Sequence, residues 1–368
     1  MQSYFGYITL SRPYYRCGAD HQGHWPWDAK LGLGKHRVTP AAEEAIALAG
    51  LLTSFGRASR ETLQKLTGLQ VSESTVQRIT EDVGEELAEL QEAKQTLGPD
   101  EAWSWQHDAD GHTCGYASAD FVSVPQQGPH GAKAESKMAA VALVYNPQSQ
   151  HDTPLARDEH KSRYLSGFYT LDELGLQLRR QVAQVGWDEL QQQLFISDAG
   201  NGLEDFARKN FPLAECMVDF YHASEHAANL ARAMYPHDAE RQESQTQSWC
   251  HTLKHAGGFT VLELLEQLDT SSWSDDRREV ARIELGYFRN HQHKMDYERY
   301  RAHGWQIGSG AVESSCKRVV TQRLKGAGMR WGVRGSNNMC HLHALLLSEP
   351  SQWNYFWSNH RRNKHLLL

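Results

Sequence analysis

The sequence predicts an α/β protein with a parallel sheet, and three features carry that expectation. Short apolar runs alternate with helical segments between residues 99 and 221. A stretch with helical character throughout follows, from His222 to about Tyr300. Two helices precede both, between residues 38 and 98. Alternation of strand and helix is what parallel pairing demands, because each crossover needs a connection long enough to hold a helix.

The elements follow in chain order. Residues 1–37 are rich in Gly, Tyr, Trp and His and read as short strands, with weak alternation over Tyr4–Leu10. Thr39-Pro40 opens a helix over Ala41–Leu52, Thr as N-cap and Pro in the first turn. Glu61–Leu66 is a short helix stopped by Thr67-Gly68, and Ser72 caps the next, whose apolar face is Val76, Ile79, Val83 and Leu87. The two helices joined by Thr67–Val71 resemble a helix-turn-helix, and the same pattern fits a helical hairpin used only for packing. Ala102–Asp110 reads as a strand ending in acid, and Met138–Tyr145 as a buried strand. Leu171–Val185 is a helix, Leu194–Asp198 a strand, Leu203–Lys209 a helix and Cys216–Phe220 a further strand.

At 368 residues the chain has length for two or three domains. Its net charge is −7, against the strongly basic surface usual in DNA-binding domains, but the charge is unevenly placed. Residues 81–101 hold eight acids and one Lys, whereas 314–334 hold six Lys/Arg and no acid. Such a local basic patch can meet phosphate on a chain that is acidic overall. Six Cys without paired spacing do not form a disulfide framework, and no apolar run nears the roughly 20 residues a membrane span needs. A cytoplasmic, nucleoid-associated protein is expected.

Glu313 stands in Gly308-Ser309-Gly310-Ala311-Val312-Glu313-Ser314, at the head of the basic helix. Asp110 and Asp198 each close an apolar run. In open α/β sheets functional groups gather at the carboxyl ends of strands, so these three carboxylates can share divalent metal. Mg²⁺ (or Mn²⁺) prefers oxygen ligands and substrate phosphate, and two ions about 4 Å apart serve in-line phosphoryl displacement. Each acid also has an ordinary reading: an Asx turn at Asp198, a hairpin turn at Asp110-Gly111, a helix ion pair from Glu313 to Lys317. Asp108 competes with Asp110 as first ligand.

His222-Ala223-Ser224-Glu225-His226 matches the His-x-x-Glu-His pattern of zinc hydrolases, where two His at i and i+4 share a helix face. Asp219 and His222 at the same strand end fit instead a supporting role beside the acids. Cys17, His21 and His24 are too few to close a zinc site, so no zinc is expected at the N-terminus.

These residues resemble bacterial insertion-sequence transposases of the ISKra type, which carry an Asp-Asp-Glu triad. The resemblance spans residues 5–348. It rests on Tyr14-Tyr15-Arg16-Cys17, Pro26-Trp27-Asp28, Asp110-Gly111, Asp198, Asp219-x-x-His222 and Tyr287-Phe288-x-Asn290. Its longest blocks are Ile307–Lys317 and Arg323–Trp331. It implies an RNase H-like catalytic core with a helical insertion, Asp110, Asp198 and Glu313 as catalytic metal ligands, and Asp219 and His222 as their supports. On that reading 1–37 is the remnant of a zinc-ribbon-like region, 38–98 a helical DNA-binding region, 99–221 with 306–348 the core, 222–305 the insertion and 349–368 a basic tail. Lys317, Arg318, Arg323, Lys325 and Arg330 are expected to contact phosphate. The partners implied are the element's terminal inverted repeats, target DNA and further copies of the chain. A transposase that binds DNA without cutting it, and a zinc hydrolase, are the alternatives.

Overall fold

The computed structural model describes residues 1–18, 23–30, 36–95, 97–146, 161–200 and 202–366. Two-residue strand pairs, Gln2–Ser3 with Gly6–Tyr7 and Tyr15–Arg16 with Gly23–His24, open the chain. Helix α1 (Pro40–Leu52) starts where the sequence predicts it, with the Thr39 hydroxyl accepting from the Ala42 amide. The chain is helical again from Phe55 to Thr67, longer than the predicted short helix. Gly68 ends that segment in the left-handed conformation a Cβ disfavours. Helix α2 (Glu73–Glu92) is capped by Ser72, and Val76, Ile79, Val83 and Leu87 are all buried.

The sheet has six strands: β1 (Gln106–His107), β2 (Thr113–Val124), β3 (Lys137–Tyr145), β4 (Ser162–Gly167), β5 (Gln192–Ser197) and β6 (Glu215–Val218). Its order is β6-β5-β2-β3-β4, with β1 paired to the start of β2. The expected all-parallel sheet is corrected to a mixed one: β2, β3 and β4 form an antiparallel meander, and only β5 and β6 join in parallel. The expected strand over Ala102–Asp110 shrinks to β1. The chain turns at 108–111, with Gly111 at φ 82, and the long strand comes after it. Phe220, expected to end a strand, begins a helix.

Helices cover both faces. Helix α3 (Leu171–Ala183) and α4 (Leu203–Asn210) lay Leu174, Leu178, Val182 and Phe206 on one face, against Ala117, Ala119 and Phe195. The other face carries Tyr116, Val122, Leu194 and Ile196, packed in one cluster with residues of the later helices. Between them run α5 (Phe220–Met234), α6 (Ala239–Glu266), α7 (Asp275–His291) and α8 (Tyr297–Ala302), the predicted helical stretch. The buried Tyr297 hydroxyl donates to the Val218 carbonyl at 3.0 Å, fastening this insertion to the end of β6. Helix α9 (Gly310–Ser315) then leads a helical run to Leu324, and α10 (Val333–Leu347) and α11 (Gln352–Leu366) complete the chain. Helix α2 packs on α10 closely enough that a Cβ on Gly84 would lie 2.7 Å from Asn338 Cβ, so the helices of 38–98 are joined to the sheet layer.

Candidate acidic site at the strand ends

The register of β2 and β5 decides which acids meet. The ladder pairs Cys114 with Gln192 and Ser118 with Ile196, a constant offset of 78 residues. Two residues further, the same offset sets Asp120 level with Asp198, on strands about 4.8 Å apart. Both belong to the same side-chain face, since Tyr116 and Val122 pack in one cluster with Leu194 and Ile196, while Ala117, Ala119 and Phe195 face the opposite way.

Asp110 is therefore not the partner of Asp198. It lies in the turn before β2, whose first residue, Thr113, is already about 23 Å back along the strand from Asp120 at about 3.3 Å per residue. There it is exposed and paired with His303. Asp108 organises that turn: it accepts from the amides of Asp110 and His112 and from the Trp305 indole. Asp108, Asp110 and His112 bring ligand atoms within 4.8 Å of one another and can hold a metal ion. Both Asp108 oxygens and one Asp110 oxygen already have partners.

Asp120 sits in mid-strand, partly buried. One oxygen accepts from the Phe121 amide at 2.6 Å, and Cys316 lies 3.5 Å from the other. Burial raises its pKa, and the charge of Asp198 raises it further, against hydrogen bonding and the nearby His222. The Cys316 thiol is also pushed up, first by burial, then by Asp120, with Glu313 and Asp198 adding. Three carboxylates from three distant segments thus act on one buried thiol. Among the described residues their ligand atoms are not all within 4.8 Å of each other, so they are spaced more widely than ligands gripping one bare ion.

Glu313 reaches this place through Asp219. That carboxylate is 7% exposed and caps α5 through the Tyr221 amide at 3.0 Å. It also accepts from the Ser309 amide at 3.0 Å and the Ser309 hydroxyl at 2.6 Å, while Phe220 donates to the Ile307 carbonyl. The end of β6 and the start of α9 are thereby locked together. Gly308 permits the contact: a Cβ there would lie 2.7 Å from the Tyr221 ring. Glu313 is exposed in the first turn of α9, and among the described residues no ion pair joins it to Lys317. Asp198 accepts from the Gly200 amide at 2.9 Å, the Asx turn expected at that position.

A second layer comes from the insertion. His222 and His226 share a face of α5, their Nε2 atoms 3.2 Å apart. His226 pairs through Nδ1 with the buried Glu284 of α7 and stacks on Tyr287 at 3.5 Å. The Tyr287 hydroxyl is buried with no hydrogen-bond partner among the described residues, and its pKa is raised by burial and then by Asp198, Asp219 and Glu284. An orphaned donor beside hard oxygen ligands fits a site for a hydrated divalent cation and phosphate oxygens. A zinc site at His222 and His226 lacks further ligands: among the described residues none stands within 4.8 Å of both.

Of the basic residues, Lys317, Arg318, Lys325 and Arg330 are exposed, though Arg330 also donates to the Gly131 carbonyl at 3.1 Å. Arg323 is corrected to a core residue. Its guanidinium donates twice to the Gly50 carbonyl and lies under 5 Å from the rings of both Phe55 and Trp331. Arg334 pairs with Asp82 and Glu85, so part of the acidic stretch serves to neutralise this basic segment. At the N-terminus Cys17 and His24 are exposed, and His21 lies outside the described residues. No helix among the described residues is long and apolar enough to cross a membrane. No protein-family model matches the chain, and no curated protein matches it.

The sequence signal for Asp120 was present. It is an acid inside a run of small and apolar residues, Gly115-Tyr116-Ala117-Ser118-Ala119-Asp120-Phe121-Val122, where an unpaired charge is costly to bury.

Proposed function

We propose that the chain is a DNA transposase with an RNase H-like core, and that Asp120, Asp198 and Glu313 are its catalytic acids. The observation that carries this reading is the position of Asp120 on β2 and of Asp198 just past the end of the neighbouring parallel strand β5, where the ladder's register brings them level, with α9 and Glu313 anchored beside them by Asp219. A central strand, β2, continued by the antiparallel β3 and β4 on one side and flanked by the parallel β5 and β6 on the other, is the topology expected of that core.

Asp120, Asp198 and Glu313 would hold Mg²⁺ or Mn²⁺, two ions in the transposase reading, which when bound activates water and neutralises charge on the departing oxygen. Burial first, and then the charge of Asp198, make the Asp120 carboxylate costly to ionise, and a bound cation would relieve both. The Tyr287 hydroxyl can donate to a phosphate oxygen. Lys317 and Arg318 follow Glu313 on the same helical run, Lys325 stands just past its end, and the three would track the phosphates of inverted-repeat and target DNA. The freed 3′-hydroxyl would attack target DNA in the same site, and pairing of two ends calls for more than one copy of the chain.

The test is Mn²⁺-dependent nicking of supercoiled plasmid. Asp120→Asn and Asp198→Asn should keep DNA binding and lose nicking by at least about a hundredfold, the scale of a lost electrostatic anchor in a transition state. Asp110→Asn should nick like the wild type. Nicking that survives Asp120→Asn but not Asp110→Asn would reverse the assignment. A wild-type chain that binds DNA and never cuts would favour a purely DNA-binding protein.

A further inference from the structure

We infer that Glu284, His226 and His222 form a proton relay from the helical insertion into the acidic site, with His222 taking the proton of the attacking water or hydroxyl. This role rests on the phosphodiester reading above.

The chain of contacts fixes the direction. An ionised Glu284 can only accept, so His226 donates to it through Nδ1. In the neutral ring that leaves His226 Nε2 as an acceptor, and the group facing it, 3.2 Å away, is His222 Nε2. His222 then donates through Nε2, and its Nδ1 keeps the lone pair, 3.6 Å from the largely exposed Glu225 carboxylate. Glu284 is 6% exposed, so its charge is little screened, and Tyr287 stacked within 15° of parallel holds the His226 ring in plane. The titratable groups around the pair are Glu225 on α5, Glu284, Tyr287 and His291 on α7, Asp120 within β2, and Asp198 and Asp219 just past the ends of β5 and β6. His222 stands in the first turn of α5, three residues past the Asp219 cap that holds Ser309, and its charge acts on Asp120.

In the step proposed, the O–H bond of the attacking water breaks and its proton goes to His222 Nδ1. The freed electron pair forms the new P–O bond. The bond to the 3′-oxygen breaks with its pair on that oxygen, which takes a proton from solvent. The imidazolium is stabilised through His226 by Glu284. His222 would be catalytic; His226 and Glu284 would be positioning residues.

Two measurements test this on the full chain. With ¹⁵N-labelled histidine, NMR should find His226 protonated at Nδ1 and His222 at Nε2 in the neutral rings, and Glu284→Gln should perturb both. In plasmid nicking with Mn²⁺, His222→Ala should slow the reaction about a hundredfold, in the range of general acid–base catalysis. Glu284→Gln should slow it about tenfold and move the pH of half-maximal rate downward, because loss of the anion makes His222 a weaker base. Plasmid affinity should not change, and Glu284→Asp should restore part of the rate. Wild-type rate and pH profile in folded Glu284→Gln would overturn the relay, as would His226 protonated at Nε2. Stoichiometric Zn²⁺ lost on His226→Gln would make the pair a metal site instead. If His222→Ala still nicks while Asp198→Asn does not, the relay alone falls; if nicking is indifferent to Asp198→Asn, the acidic site falls and the relay with it.

Discussion

The Ser309 hydroxyl donates to Asp219 at 2.6 Å across ninety residues of chain, with both residues buried. This bond, with the Ser309 amide on the other carboxylate oxygen, sets where α9 begins and so where Glu313 projects.

Asp219→Ala should therefore act on activity through position. It strands the Ser309 amide and uncaps α5, a loss on the order of 2–3 kcal/mol. Nicking should fall further than stability alone explains, about a hundredfold at a temperature where the variant is folded. Ser309→Ala, which removes one of the three bonds, should give a smaller loss. An Asp219→Ala protein that is folded and fully active would show that Glu313 needs no such anchor.

Arg323 and its neighbours should separate cleanly. Arg323→Ala removes a guanidinium held by Gly50 between two rings and should cost about 3 kcal/mol, read as a lower urea midpoint. Lys317→Ala, Arg318→Ala and Lys325→Ala should leave that midpoint unchanged. Each should lower the slope of log affinity against log salt by about one. A drop in salt slope without destabilisation in Arg323→Ala would return it to the phosphate-binding set.

Asp120 should weaken the metal-free fold. Its folded pKa is raised, so ionising it is harder in the folded chain than in the unfolded one. The penalty is present above the folded pKa and vanishes as pH falls below the ordinary carboxylate value near 4. In EDTA, Asp120→Asn should melt above the wild type at pH 7, with the gap closing toward pH 4. Added Mn²⁺ should raise the wild-type Tm and leave the variant unmoved.

His341 and His343 should make the fold acid-labile. Burial lowers both to about 4, and for His343 it outweighs the opposing hydrogen bond to the Leu51 carbonyl at 3.0 Å. The unfolded chain takes up protons below about 6.5 that the folded chain refuses, so stability is full above that pH and is lost down to about 4. The limit is on the order of 3 kcal/mol per residue. Urea midpoints should drop steeply between pH 6.5 and 4.5, and the doubly substituted His341→Gln, His343→Gln chain should show a shallower slope.

Tyr287→Phe should be neutral or slightly stabilising, because the hydroxyl is buried without a partner. Nicking should fall about tenfold if that hydroxyl meets phosphate. Equal rates for the two proteins would assign the ring to packing alone.

Local chemistry made much of the fold legible. Thr39 and Ser72 cap where their side chains predict, and the apolar spacing of Val76, Ile79, Val83 and Leu87 is the buried face of α2. Asp198 at the end of β5 was legible because a Gly-rich turn marks that boundary. Asp120 was obscured by the strand that carries it. With both faces covered, β2 shows no polar alternation, while the Asp110-Gly111 turn just ahead of it offers a sharper local signal. Arg323 shows the converse: a basic run marks charge, but only tertiary packing decides that this member turns inward against Gly50. The link from Glu284 to His226 joins residues 58 apart, and no short-range pattern encodes it.

Because the neck at Asp219 and Ser309 is fastened by its own hydrogen bonds, the long helical excursion behaves as a detour closed at its base. Closure entropy grows only about 0.6 kcal/mol per doubling of such a detour. The excursion can therefore lengthen, shrink or be exchanged for another module while the three acids keep their places. What an exchange would forfeit is the histidine pair and its buried glutamate, so on the transposase reading proposed above, chains sharing this neck would differ in how they handle protons while keeping the same acids.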